Sequence, residues 1–150
     1  MDYRLGIIGA GNMANAIVSG IINSKIYEKN EIIISDISKD QRKKIEEQYS
    51  IKTTADNNEV AEKSDIILFA VKPQYFESSI GNIKTEKINN KLIISIMAGI
   101  SIEKIKEYLK ANVQIARIMP NTPALVNEAM SVICFDDNLS DDNKIIVVSI

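Results

Sequence analysis

Gly9-Ala10-Gly11-Asn12-Met13-Ala14 follows a short apolar run, Arg4 to Ile8, and leads without a break into the apolar-periodic segment Asn15 to Ile22. Glycines so spaced between a strand and a helix make an anion cradle. Gly9 permits the tight turn, Gly11 lets the backbone approach a pyrophosphate, and Ala14, where a third glycine is usual, is small enough for helix and strand to pack. The free N–H groups and the dipole of the helix start then attract the anion without a basic side chain. The chemistry predicted is dinucleotide binding, although close packing alone demands the same glycines.

Asp36, at the end of the run Ile32 to Ser35, is placed to accept hydrogen bonds from the adenosine ribose hydroxyls, which favours an unphosphorylated cofactor. Ser35, Ser38 and Lys39 beside it are groups able to bind a 2′-phosphate, and an Asp36 that merely caps a turn is the third possibility. NADP(H) and NAD(H) both stay open. Phe69-Ala70-Val71-Lys72-Pro73-Gln74 closes another apolar run; Pro73 restricts Lys72 to extended backbone, from which its ammonium meets either cofactor oxygens or solvent. Ser95-Ile96-Met97-Ala98-Gly99-Ile100 ends a further run in small residues that leave room for a ligand. In Arg117-Ile118-Met119-Pro120-Asn121-Thr122-Pro123-Ala124 two prolines stiffen a loop. It either presents the Asn121 amide and Thr122 hydroxyl or is a plain rigid turn.

Other chemistries are excluded by composition. The chain has no histidine and one cysteine, Cys134, so neither a histidine proton relay nor a disulfide or zinc cluster is available within it. Cys134 lies in Met130 to Phe135, which reads as a buried strand where the thiol serves packing. The acidic group Asp136, Asp137, Asp141 and Asp142 lacks the glycine and terminal Glu of a calcium loop and is expected at a helix start. No metal site is predicted. A net charge of −2, with lysines dispersed among acids, gives no surface for nucleic acid. The chain opens directly into a strand, and no apolar run nears the roughly 18 residues of a membrane span, so a cytoplasmic protein is expected.

These residues need a scaffold that brings strand ends together. Strand-like runs at Leu5 to Ile8, Glu31 to Ser35, Ile66 to Ala70, Leu92 to Met97 and Gln114 to Met119 alternate with helical segments. That alternation predicts an α/β fold: a Rossmann-like parallel sheet with helices on both faces, β-α-β throughout. Ser38 with Gln41, Asp56 or Asn57, and Ser101 are the expected helix caps. At 150 residues and 45% hydrophobic composition the chain fits one domain, residues 1–150, burying roughly two thirds of its unfolded surface. Its last segment, Lys144 to Ile150, stops in apolar residues without a capping signal, so the final element is expected to be truncated.

Read together, Gly9 to Ala14, Ala70-Val71-Lys72-Pro73-Gln74, Ser95 to Gly99 and Met119-Pro120-Asn121-Thr122-Pro123-Ala124 resemble the N-terminal domain of pyrroline-5-carboxylate reductase in order and spacing along nearly the whole chain. That family reduces the cyclic imine 1-pyrroline-5-carboxylate to L-proline with NADPH or NADH. The resemblance implies that Gly9, Ala10, Gly11, Asn12, Met13 and Ala14 bind the pyrophosphate and that Ser35 and Asp36 meet the adenosine ribose. It further implies that Asn57, Ala70, Lys72, Pro73 and Ala98 contact cofactor, and that Asn121, Thr122 and Pro123 border nicotinamide and substrate. No catalytic residue is assigned in this chain. Where the family commonly has Val-Gly-Glu-Gly-Met, the chain has Val126-Asn127-Glu128-Ala129-Met130. The family's C-terminal helical domain, which forms the homo-oligomer and completes the imine site, is absent from these residues. A β-hydroxyacid-type dehydrogenase and a non-enzymatic dinucleotide-sensing module are the alternatives.

Overall fold

The computed structural model describes residues 2–81, 83–120 and 131–150. Among them, seven strands form one sheet: β1 (Tyr3–Ile8), β2 (Ile32–Ser35), β3 (Lys52–Thr54), β4 (Ser64–Phe69), β5 (Leu92–Ser95), β6 (Gln114–Pro120) and β7 (Ser131–Phe135). Their order is β3-β2-β1-β4-β5-β6-β7. The first six pair in parallel and β7 runs antiparallel to β6. Six helices accompany them: α1 (Asn12–Asn23), α2 (Lys39–Tyr49), α3 (Asn57–Lys63), α4 (Phe76–Ile80), α5 (Ile102–Leu109) and α6 (Asp141–Ser149).

The side-chain period of two sends alternate strand residues to opposite faces, and helices cover both. Leu5, Ile7, Ile32, Ile34, Leu68, Ile94 and Ala116 pack with α1 (Ala14, Val18, Ile21), α2 (Ile45) and α6 (Val147). Ile33, Ile67, Phe69, Ile93 and Ile115 pack with α3 (Val60, Ala61), α4 (Phe76, Ile80) and α5 (Ile105, Leu109). Each such isoleucine removed from water contributes roughly 1.5–3 kcal/mol, so these two layers are the source of the fold's stability. Ala14 is fully buried against the sheet. A second close approach, to α3, is set by Gly6, where a Cβ would lie 2.5 Å from Val60 Cγ1.

Caps place the helices. Ser38, Ser101 and Ser140 accept from Gln41, Lys104 and Asn143 N–H at the starts of α2, α5 and α6, and of the two residues offered for α3 it is Asp56 that caps, accepting from Asn58 N–H at 2.8 Å.

Four expectations are corrected. The connection is not β-α-β throughout, because β7 is antiparallel. Two elements went unanticipated, β3 and α4; each is too short to show a period. Cys134 is exposed, not buried, because β7 is an edge strand whose Val132 is 63% exposed. Only Asp141 and Asp142 of the acidic group stand in the first turn of a helix; Asp136 instead accepts from Lys106 Nζ at 2.7 Å.

Candidate functional site

The strand order places β1 between β2 and β4, so successive connections leave β1 in opposite directions. In open α/β sheets the crevice at the carboxyl ends of the strands beside this switch is where ligands bind. The ends of the central strands are tied across it. Gly9 N–H donates to Ser35 O at 2.8 Å, Ala70 N–H to Ile8 O at 2.8 Å, and Ile96 N–H to Phe69 O at 3.1 Å.

Gly9 turns the chain at φ +103°, and a Cβ there would stand 2.8 Å from Ala70 O. Both the backbone angle and the neighbouring strand therefore require glycine. Gly11 is the N-cap of α1 in ordinary extended geometry, φ −75° and ψ −174°; a Cβ there would meet no protein atom within 4 Å. Nothing in the described fold demands glycine at that position. What its small size leaves is clearance in front of the helix start.

That helix start also lacks a side-chain cap, as does that of the five-residue α4. Helices α2, α3, α5 and α6 each carry a side-chain cap, whereas α1 has none and no acidic residue in its first turn. The N–H groups of Asn12, Met13 and Ala14 thus form the positive end of a three-turn helix dipole, facing open space beyond Gly11. These residues fit a pyrophosphate: a cradle with clearance in front of it, amide donors and no acidic residue in the first turn of the helix.

At the end of β2, Ser35 is fully buried and donates from Oγ to Asn57 Oδ1 at 2.7 Å; Asn57 Nδ2 in turn donates to Ser79 O at 3.0 Å. The two residues are brought together, but as a chain of bonds locking β2, α3 and α4. Asp36 is half-buried, with Oδ2 accepting from Ala10 N–H and Oδ1 from Ser38 N–H, both at 2.8 Å. The carboxylate therefore caps the turn and faces the crevice at once. Arg42 was missed by the sequence reading: its Nη1 donates to Asp36 O at 2.6 Å and Ile37 O at 3.3 Å. Its place one turn into α2, whose cap Ser38 was predicted, is the signal that brings it back over this loop.

On the far side of the switch, Lys72 is exposed in extended backbone, φ −65° and ψ 146°, and Pro73 opens a single 3-10 turn. Ala98 is exposed after β5, and Gly99 adopts φ +73° with no atom within 4 Å of a Cβ. Lys72, Pro73 and Ala98 share the strand-end edge with the glycine turn. Asn121, Thr122 and Pro123, and the Val126 to Met130 departure, lie outside the described residues. Among the described residues no group of His, Cys, Asp and Glu is placed to hold a metal ion, and no helix is long and apolar enough to cross a membrane.

Comparison with known proteins agrees with this geometry. The family model described as NADP oxidoreductase, coenzyme F420-dependent, matches residues 4–99. A pyrroline-5-carboxylate reductase from Arabidopsis thaliana is 32% identical over 97% of this chain and 52% of its own length. A crystal structure of Plasmodium falciparum pyrroline carboxylate reductase with NADP bound superposes with a TM-score of 0.84 at 33% identity, covering 97% of this chain and 53% of that one. A pyrroline-5-carboxylate reductase from Coxiella burnetii gives a TM-score of 0.85 at 27% identity over 98% and 54%. The chain spans about half the length of the curated relatives it matches.

Proposed function

This chain belongs to the NADP oxidoreductase, coenzyme F420-dependent family, and from that premise we propose that it is the cofactor-binding half of a pyrroline-5-carboxylate reductase, converting 1-pyrroline-5-carboxylate to L-proline. The observation that carries the reading is the uncapped α1 behind a glycine turn at the switch point, in a chain alike to that family over nearly its full length.

When bound, NADPH or NADH supplies the hydride; the protein supplies orientation and a dry site. Gly9 and Ala10 shape the turn, their own N–H groups being bonded to Ser35 O and Asp36 Oδ2, so that Gly11, Asn12, Met13 and Ala14 hold the pyrophosphate through backbone N–H groups, and Asp36 accepts from the adenosine ribose. Lys72 and Pro73 border the crevice beyond Ala70, and Ala98 with Gly99 leaves clearance for the nicotinamide half. Asn121, Thr122 and Pro123 border the imine. A protonated imine is already a good electrophile, so this chain need only hold the reacting carbons within about 3.5 Å and exclude water. No general base is required of it, which agrees with a sequence lacking histidine. The remaining half of the protein completes the substrate site and forms the homo-oligomer, in the cytoplasm.

The test is coenzyme oxidation by the full-length protein with pyrroline-5-carboxylate. Turnover that requires both imine and coenzyme is expected; none with either NADPH or NADH would overturn the proposal.

A further inference from the structure

The turn after β2 holds its carboxylate between two backbone donors, and this bears on which coenzyme it admits. The Asp36 carboxylate is held from one side by Ala10 N–H, in the glycine turn, and from the other by Ser38 N–H, at the cap of α2. Arg42 folds back from α2 and spends Nη1 on the carbonyls of Asp36 and Ile37, which fixes the backbone carrying that carboxylate. Of the two hydroxyls nearby, only that of Ser35 is spent as a donor. Ser35 is fully buried and donates to Asn57, and Ser38 Oγ accepts from Gln41 N–H. At the tip, Ile37 is 91% exposed and its side chain carries no donor.

Resting on the cofactor reading above, we infer that Asp36 selects an adenosine ribose with a free 2′-hydroxyl, so that this chain binds NADH in preference to NADPH. Each carboxylate oxygen has a lone pair beyond the one its amide uses, enough to accept from the two ribose hydroxyls. A 2′-phosphate in that place sets a dianion against a carboxylate, and the carboxylate cannot swing aside without orphaning two backbone N–H groups. Lys39 and Arg42 are the cations of the turn. Lys39 is exposed to solvent, and Arg42 acts as a positioning residue for the turn, with part of its donor fork already committed to main-chain carbonyls.

Titrating the 150-residue chain with NADH and with NADPH in the absence of substrate, by calorimetry, tests this directly. NADH is expected to bind about tenfold tighter or better. Asp36→Asn, which keeps one acceptor and removes the charge, should tighten NADPH and bring the two within about threefold. Arg42→Ala, which loosens the turn, should weaken both coenzymes alike. NADPH binding as tightly as NADH to the unsubstituted chain overturns the inference whatever the variants do. So does an Arg42→Ala loss confined to NADPH, which would make Arg42 a phosphate reader. Binding of neither coenzyme overturns the cofactor reading itself, a separate and distinguishable failure.

Discussion

Gly9 and Gly11 flank a single alanine yet answer to different constraints. At Gly9 a side chain would force φ +103° on an L-residue and drive Cβ to 2.8 Å from Ala70 O, which is backbone and cannot yield. Gly9→Ala should therefore destabilise the chain by about 3 kcal/mol. Gly11→Ala meets no protein atom and should cost under about 1 kcal/mol, since its backbone angles suit any residue, while lowering coenzyme affinity about tenfold by filling the approach to the helix start. Urea unfolding and coenzyme titration of both variants check the pair. Equal losses of stability would mean that Gly11 is a folding glycine. The sequence showed both glycines and the carboxylate of Asp36, because strand, turn and helix signals are local. It could not show that Asp36 closes on Ala10 across 26 residues, that Ser35 is spent on Asn57, or that Arg42 returns over the turn. Those bonds exist only once β1 and β2 are side by side.

Elements were legible in proportion to their length. The runs that became β1, β2, β4, β5 and β6 each carry at least two isoleucines, so their existence followed from pattern alone. By contrast β3 is three residues and α4 five, below the span over which a period can be read. The junction of α3 and β4 is also hidden from sequence. The helix passes into the strand with no connecting residue, Ser64 being both its C-cap and the first residue of β4. Lys91, 6% exposed, reaches across just before β5 and donates from Nζ to the carbonyls of Ala61, Glu62 and Ser64. A lysine at a helix C-terminus satisfies such carbonyls and suits the dipole. Lys91→Met keeps the apolar stem but orphans these acceptors, and should cost about 2–4 kcal/mol of unfolding free energy. A denaturant midpoint within error of the parent would show that the ammonium is dispensable.

At the scale of the molecule, alternation of strand and helix implied parallel order and hence a crevice at the strand ends, while the antiparallel direction of β7 has no signal in the strand runs themselves. The architecture also separates two properties that a complete reductase combines. Every described residue proposed to touch the coenzyme lies on one sheet edge, with its anion donors, its ribose carboxylate and its clearance supplied by this chain alone. The relatives are about twice as long, and the proposed imine site draws on the half that this chain does not span. Binding and turnover should therefore come apart. Coenzyme present at about 100 times its Kd should stabilise the 150-residue chain by about 2.7 kcal/mol, a rise in Tm of roughly 5–10 °C for a domain of this size. Adding pyrroline-5-carboxylate should then give less than about 1% of the full-length protein's coenzyme oxidation, because the orientation worth several kcal/mol of barrier is supplied jointly. Differential scanning calorimetry and a coenzyme-absorbance assay on one preparation read both halves of the prediction. Full turnover by the 150 residues would place the whole imine site within them, whereas an unmoved Tm at saturating coenzyme would remove the binding site from this sheet edge altogether.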